Sequence, residues 1–294
     1  MCIPVNTFQS VCDELGVPLA HDKTVGPVQT ITYLGLEIDT LRGEVRAPPD
    51  KVRGTAEHIR AVLSKRKISL HGVQSLVGSL NFLCRAIFPG RAFLRRLITL
   101  STGLRKPHHT VRISQGARRD LMMWLDFLTC YNGVTVFAEK EWRSNEAIEL
   151  FTDAAGSIGF GAYFQGKWVQ GRWPSNFLRD PPSIAFLEFF PILVALLCWA
   201  PLLAGCKVRF RTDNVAVVHI LNKKSSPCPK IMQLVRRFVL ECLHFNISVR
   251  AEHVPGQSNE IPDALSRFQM TRFWQAAPHA DLNMTPLPVL PLEL

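Results

Sequence analysis

Acidic residues are missing from one long stretch of this chain. Between Glu57 and Asp120 there is none. The same interval holds thirteen cations: Arg60, Lys65, Arg66, Lys67, Arg85, Arg91, Arg95, Arg96, Arg105, Lys106, Arg112, Arg118 and Arg119. Ordinary surfaces intersperse both signs, so a merely solvated helix face is the poorer account and phosphate-backbone contact the better one. Paired metal-ligand cysteines are missing too. The eight cysteines stand at 2, 12, 84, 130, 198, 206, 228 and 242. No two form a C-x-x-C pair, which excludes a zinc ribbon. A chain of 294 residues buries enough core to do without disulfide staples, so reduced thiols are expected.

No leader is evident, and one apolar run is only of marginal length. The start, Met1-Cys2-Ile3-Pro4-Val5-Asn6, has no basic segment followed by an apolar one. The expected location is therefore intracellular, nucleus or cytoplasm, and not secreted. Residues 189–205 carry no charge, the lower edge of spanning length. Pro191 and Pro201 interrupt them, Glu188 precedes them directly, and anchors on both sides are lacking. A buried core helix is the reading, and no membrane partner is expected.

What is present is a globular composition, 47% hydrophobic and 20% charged, which excludes a disordered chain. The net charge of +10 favours a polyanionic partner. The basic stretch reads as helices. Val73, Leu76, Val77, Leu80, Leu83, Cys84 and Ile87 recur at helical spacing behind Ser69 as N-cap. Pro89-Gly90 stops that helix. A second carries Phe93, Leu94, Leu97 and Ile98, and a third covers residues 114–131. Residues 30–38 read as one strand.

From residue 147 on, the predicted order is βββαβααβα. Strands fall at 148–152, 159–165, 167–173, 207–212 and 247–252, and the apolar helix at 183–204. Helices follow at 215–222, 229–245 and 261–267. The fold class this gives is α/β, a mixed five-stranded sheet with flanking helices, behind an N-terminal helical region. Residues 273–294, with Pro278, Pro286, Pro288 and Pro291, read as a disordered tail.

Four acids stand where strands end or helices begin: Asp153, Glu188, Asp213 and Asp263. Each has a simpler alternative when taken alone. Asp213 caps the helix from Val215, and Asp263 is an early-helix acid favoured by the dipole. Together they point to chemistry. Clustered carboxylates repel and raise one another's pKa unless a cation neutralises them. A set without His or Cys ligands suits a hard ion, Mg²⁺ or Mn²⁺. Two such ions can activate a water and stabilise the leaving oxygen in phosphodiester cleavage.

Residues 146–272 resemble a ribonuclease H domain of the retroelement kind. The matching pieces are Thr152-Asp153-Ala154 with Gly159-Phe160-Gly161-Ala162, Glu188 in an apolar helix, Thr212-Asp213-Asn214, the run from His253 to Asn259, and Asp263-Ala264-Leu265-Ser266-Arg267. The resemblance implies that Asp153, Glu188, Asp213 and Asp263 bind two Mg²⁺ (or Mn²⁺) ions. It implies that His253 is a mobile-loop histidine aiding proton transfer or product release, the alternative being an ordinary exposed histidine. Pro262, next to the last acid, departs from the pattern.

The first part resembles the end of a reverse transcriptase palm and the start of its thumb. Its pieces are Leu19-Ala20-His21-Asp22-Lys23-Thr24, Tyr33-Leu34-Gly35-Leu36-Glu37-Ile38 and Pro48-Pro49-Asp50-Lys51-Val52. The match as a whole is to DIRS-like, tyrosine-recombinase retrotransposons. It implies a palm remnant over 1–60, a basic thumb or connection over 61–145, and the ribonuclease H-like domain over 146–272. The chain has no Tyr-x-Asp-Asp and no Asp-Asp pair anywhere, so polymerase activity is not expected, and the fingers and most of the palm would precede Met1. The implied partner is an RNA–DNA hybrid, held through Lys65, Arg66, Lys67, Arg85, Arg91, Arg95, Arg96 and Asn214. The implied reaction is hydrolysis of its RNA strand; a non-catalytic nucleic-acid-binding protein is the alternative.

Overall fold

The computed structural model describes residues 5–23, 25–130, 135–136, 142–144, 146–175, 177, 182–212, 214–253 and 259–288. After helix α1 (Val5–Glu14) comes the segment expected as a single strand, which is a hairpin instead. β1 (Thr30–Tyr33) and β2 (Leu36–Asp39) pair antiparallel with Tyr33 opposite Leu36. Leu34 and Gly35 between them have φ of 48° and 78°, as a two-residue hairpin turn requires. A leucine gives no sequence signal for that conformation. β3 (Glu44–Arg46) extends the sheet from β2.

Pro49 opens α2 (Pro49–Leu63), using the helix position where a missing N–H costs nothing. β4 (Lys67–Ser69) leads into α3 (Leu70–Leu83), whose Gly72 N–H donates to Ser69 Oγ at 3.1 Å, the cap expected from the sequence. The Pro89-Gly90 stop is a 3₁₀ turn, Phe88–Phe93, before α4 (Arg95–Leu100). β5 (Thr110–Arg112) pairs antiparallel with β4, and α5 (Gln115–Cys130) closes the basic region. β6 (Thr135–Val136) returns to pair with β3.

The second half starts with β7 (Arg143–Ser144), followed by an antiparallel meander of β8 (Leu150–Ala155), β9 (Gly159–Phe164) and β10 (Lys167–Arg172). α6 (Ile184–Trp199) is capped by Ser183 Oγ, which accepts from Phe186 N–H. Then come β11 (Lys207–Thr212), α7 (Val215–Lys223), α8 (Pro229–His244), β12 (Ser248–His253), α9 (Glu260–Ser266) and α10 (Met270–Ala276). The class is mixed α/β, as expected, and all five expected strands form.

They do not form one five-stranded sheet among the described residues. The order is β10-β9-β8 in one sheet and β12-β11-β7 in another. The reason lies in residues 146–149. Glu149 adopts φ 53° and the chain turns there. The segment before the turn pairs in parallel with β11 (Val208 opposite Arg143), and the segment after it pairs with β9.

Both sheets share one apolar core. Leu150 of β8, Val208 and Phe210 of β11, Val249 of β12 and Ile192 and Leu196 of α6 line the same small void. The segment Ile184–Leu203, with mean hydropathy 2.1, is long and apolar enough to cross a bilayer, yet 72% of it is buried inside the protein. It is the central core helix, as its flanks suggested.

The core is continuous across the boundary drawn at residue 145, from Ala47 to Ala251. At the junction Asp120 of α5 is 1% exposed. Arg96 of α4 lies 3.1 Å from its Oδ1, and Arg236 of α8 lies 3.3 Å from its Oδ2. Burial pushes the Asp120 carboxyl up to about 6 despite both guanidinium groups.

The tail expected to be disordered is ordered through Pro288. Phe273 is fully buried, with its ring 5.2 Å from Trp168. Trp168 Nε1 donates to the Asp281 carbonyl at 2.7 Å, and Thr285 N–H donates to the Trp168 carbonyl. Aromatic burial and backbone hydrogen bonds to Gly166 and Trp168 offset the chain entropy that the proline content suggested would win.

Candidate active site and nucleic-acid interface

Two of the four acids meet across the junction of β8 and α9. Asp153 is the fourth residue of β8, and Asp263 the fourth of α9. Asn259, Asp263 and Ser266 recur at i, i+4 and i+7, so they share one face of the helix. Two of them tie that face to the strand. Asn259 Nδ2 donates to the Thr152 carbonyl at 2.8 Å, and Ser266 Oγ donates to Asp153 Oδ2 at 2.6 Å.

Gly161 of β9 makes the close approach feasible. A Cβ there would lie 2.5 Å from Leu265 Cβ and 2.9 Å from both Pro262 O and Ser266 N. The helix backbone therefore rests directly on the strand. Pro262 is accommodated in the first turn, and Asp263 N–H still donates to the Asn259 carbonyl at 3.0 Å.

The environments of the two acids differ. Burial raises the Asp153 carboxyl above the usual carboxylate range. The Ser266 hydroxyl opposes that shift, and the nearby Asp263 charge adds to it. Burial also acts to raise Asp263, but Arg267 and Arg272 overcome it and hold the group below its ordinary value. Arg267 Nε donates to Asp263 Oδ1 at 2.7 Å, and an Arg272 terminal nitrogen donates to Oδ2 at 2.5 Å. One carboxylate is thus kept ionised, while its neighbour is placed where a cation or a proton is favourable.

The remaining acids are less closely defined. Glu188 is half-buried on α6, which packs against β8 and β9. Asp213 lies outside the described residues. Among the described residues no three His, Cys, Asp or Glu side chains form a metal-sized cluster. The oxygen-only donors and the raised Asp153 carboxyl fit a hard cation, whereas both oxygens of Asp263 are already engaged by arginine.

Two residues depart from expectation in their local roles. The cap of α7 is Asn214, not Asp213: its Oδ1 accepts from Ala216 N–H at 3.0 Å and Val217 N–H at 3.2 Å. That oxygen is committed to the helix rather than to nucleic acid. His253 is exposed, but it is the last residue of β12, paired with Thr212, rather than part of a loop. Residues 254–258 lie outside the described residues.

The basic positions separate into groups. Lys65, Arg66 and Lys67 are exposed where α2 gives way to β4, and Arg112 of β5 stands opposite Lys67. Arg118 donates to the carbonyls of Leu63 and Lys65, fixing this corner to α5. Arg85 and Arg91 are exposed over the rings of Phe82 and Phe88, and Arg95 is half-buried on α4. Arg96 turns inward to Asp120. Ser266, Asn259, Arg267 and Arg272 were not singled out as site residues. The helical spacing of Asn259, Asp263 and Ser266 was the signal for the first two.

No protein-family model and no curated protein matches the chain. Among solved structures, the chain is similar to a foamy viral protease-reverse transcriptase dRH in complex with ds DNA, at 12% identity and a TM-score of 0.39. That alignment covers 86% of this chain and 43% of the other. A second is a foamy viral protease-reverse transcriptase in complex with RNA/DNA hybrid, at 13% identity and a TM-score of 0.35, covering 88% of this chain and 34% of that one. The chain thus spans less than half the length of these structures.

Proposed function

We propose that the chain is a retroelement reverse transcriptase segment of the DIRS-like kind that hydrolyses the RNA strand of RNA–DNA hybrids. The observation that carries this reading is the meeting of Asp153 and Asp263, with Ser266 bridging helix to strand. Asp153 and Asp263, with Glu188 and Asp213, would hold Mg²⁺ or Mn²⁺. When bound, the ions supply an activated water and charge neutralisation at the scissile phosphate.

The chain's own residues have separate tasks. Ser266 orients the Asp153 carboxylate. Arg267 and Arg272 keep Asp263 ionised. His253, beside Thr212 at the strand end, is available to carry a proton. Lys65, Arg66, Lys67, Arg85 and Arg91 hold the hybrid by charge and shape, without base readout. The absence of an Asp-Asp pair argues against polymerase chemistry in this chain.

The test is cleavage of an end-labelled RNA–DNA hybrid with Mg²⁺, beside an Asp153→Asn control. Loss of only the RNA strand, abolished in the control, is the expected result. One observation favours the alternative of a binding protein without turnover: the arginines already neutralise Asp263. Tight hybrid binding with no cleavage selects that alternative.

A further inference from the structure

The outer face of the β7-β11-β12 sheet carries a row of cations. Along β11, Val208 and Phe210 enter the core, and along β12 so do Val249 and Ala251. The alternate residues, Lys207, Arg209, Arg211, Ser248, Arg250 and Glu252, share the opposite face. The register sets Arg209 directly opposite Arg250, and Arg211 opposite Glu252. On the other side of β11, Ser144 stands opposite Arg209. Trp142 lies just before β7, with the Arg250 guanidinium 4.7 Å and the Lys207 ammonium 5.6 Å from its ring.

Like charges facing each other across a ladder are destabilising. Glu252, 3.3 Å from Arg209 Nε, is the single acid in these rows. Such a surplus suits a polyanion. Lys207, Arg209 and Arg211 recur about 6.6 Å apart along one strand, a narrow track for one phosphate backbone. Guanidinium groups chelate phosphate oxygens, and an aromatic ring beside a cationic row is the usual platform for an unpaired base. No aliphatic side chain stands in these rows to enter a bilayer.

We propose that the outer face of β7-β11-β12 binds the backbone of a single nucleic-acid strand. The face lies on a different sheet from Asp153, and the inference does not depend on cleavage.

The test uses the full chain and a short fluorescein-labelled oligouridine, read by anisotropy against salt. Each phosphate contact contributes about 0.7 to the log–log salt slope for a single strand. Arg209→Gln with Arg250→Gln is therefore expected to lower the slope by about 1.4 while the melting temperature holds. Should that double variant melt early, Arg250→Thr alone removes the like-charged neighbour of Arg209, and a slope lower by about 0.7 is expected. An unchanged slope in a folded variant overturns the proposal. Binding to phosphatidylserine vesicles without binding to the oligonucleotide overturns it in favour of a membrane surface.

Discussion

Ser266 Oγ donates to Asp153 Oδ2 at 2.6 Å, joining the last turn of α9 to the strand that carries the acid. The same hydroxyl lies 3.0 Å from the Asp263 carbonyl of its own helix. One proton cannot serve both acceptors at full strength, and the short carboxylate bond is the stronger. Removing it leaves Asp153 unoriented and further disfavours its charge. Ser266→Ala is expected to fold normally and to lose about 10- to 100-fold in hybrid cleavage, the range for deleting a partner that orients a ligand. Single-turnover cleavage at saturating hybrid checks this.

Arg272 donates to Asp263 Oδ2, and on the proposed reading it competes there with a cation. Its guanidinium also lies 3.5 Å from Glu260, so it links α10 to the first turn of α9. The pair is partly exposed, and such pairs are weak. Arg272→Gln is expected to lower the Mg²⁺ concentration for half-maximal cleavage about two- to fivefold. Titration calorimetry with Mn²⁺ gives an independent reading, and unchanged metal affinity would show that the arginine does not compete.

Gly161 is where strand and helix backbones come closest. A methyl group there meets backbone atoms of α9 at 2.9 Å, which cannot swing aside as a flexible side-chain end can. Gly161→Ala is expected to cost about 1–3 kcal/mol, as overpacking does. Cleavage should fall further than that loss alone implies, because displacement of α9 moves Asp263 and Ser266 together. Urea unfolding beside cleavage rates separates the two effects.

Much of this arrangement is legible in the sequence, and what is hidden has identifiable causes. Asn259, Asp263 and Ser266 announce one helix face by spacing, and the Lys207-Val208-Arg209-Phe210-Arg211 alternation announces a strand with one cationic side. Leu34 and Glu149 adopt left-handed backbone that their side chains do not advertise. Those two positions account for the unforeseen hairpin and the divided sheet. Arg96 looks in sequence like its exposed neighbours. Its inward turn depends on Asp120, the acid that ends the charge gap, meeting an arginine more than a hundred residues further on. The tail is ordered by Trp168, a long-range contact that proline content does not reveal.

Lys224 gives a dependence on pH. It ends α7 with φ 50°, its ammonium lies fully buried 3.2 Å from the Val249 carbonyl, and burial pushes its pKa down to about 8. A depressed pKa means that the stabilising contribution is present above the unfolded value, near 10.5, and is lost as pH falls through 8. At pH 7 the buried charge is a cost. The wild type is expected to gain up to about 3 kcal/mol relative to Lys224→Met between pH 7 and pH 10.5. Urea midpoints of both proteins across that window test the sign. A constant difference would place the ammonium in solvent.

The last expectation concerns the junction of the two halves. Arg236 is buried on α8, with Asp120 on one side and the Phe93 ring 5.9 Å away. Replacing it by leucine leaves Asp120 paired with Arg96 alone, in a site that already disfavours its charge. Breaking a buried ion pair by removing one partner costs about 3–5 kcal/mol. Because the core runs unbroken from Ala47 to Ala251, that loss should lower a single cooperative transition rather than release one half. Calorimetry of Arg236→Leu is therefore expected to show one peak at reduced temperature, with the tryptophans of both halves unfolding together. Two separated peaks would mean that the basic helices and the acid-bearing sheets are independent bodies.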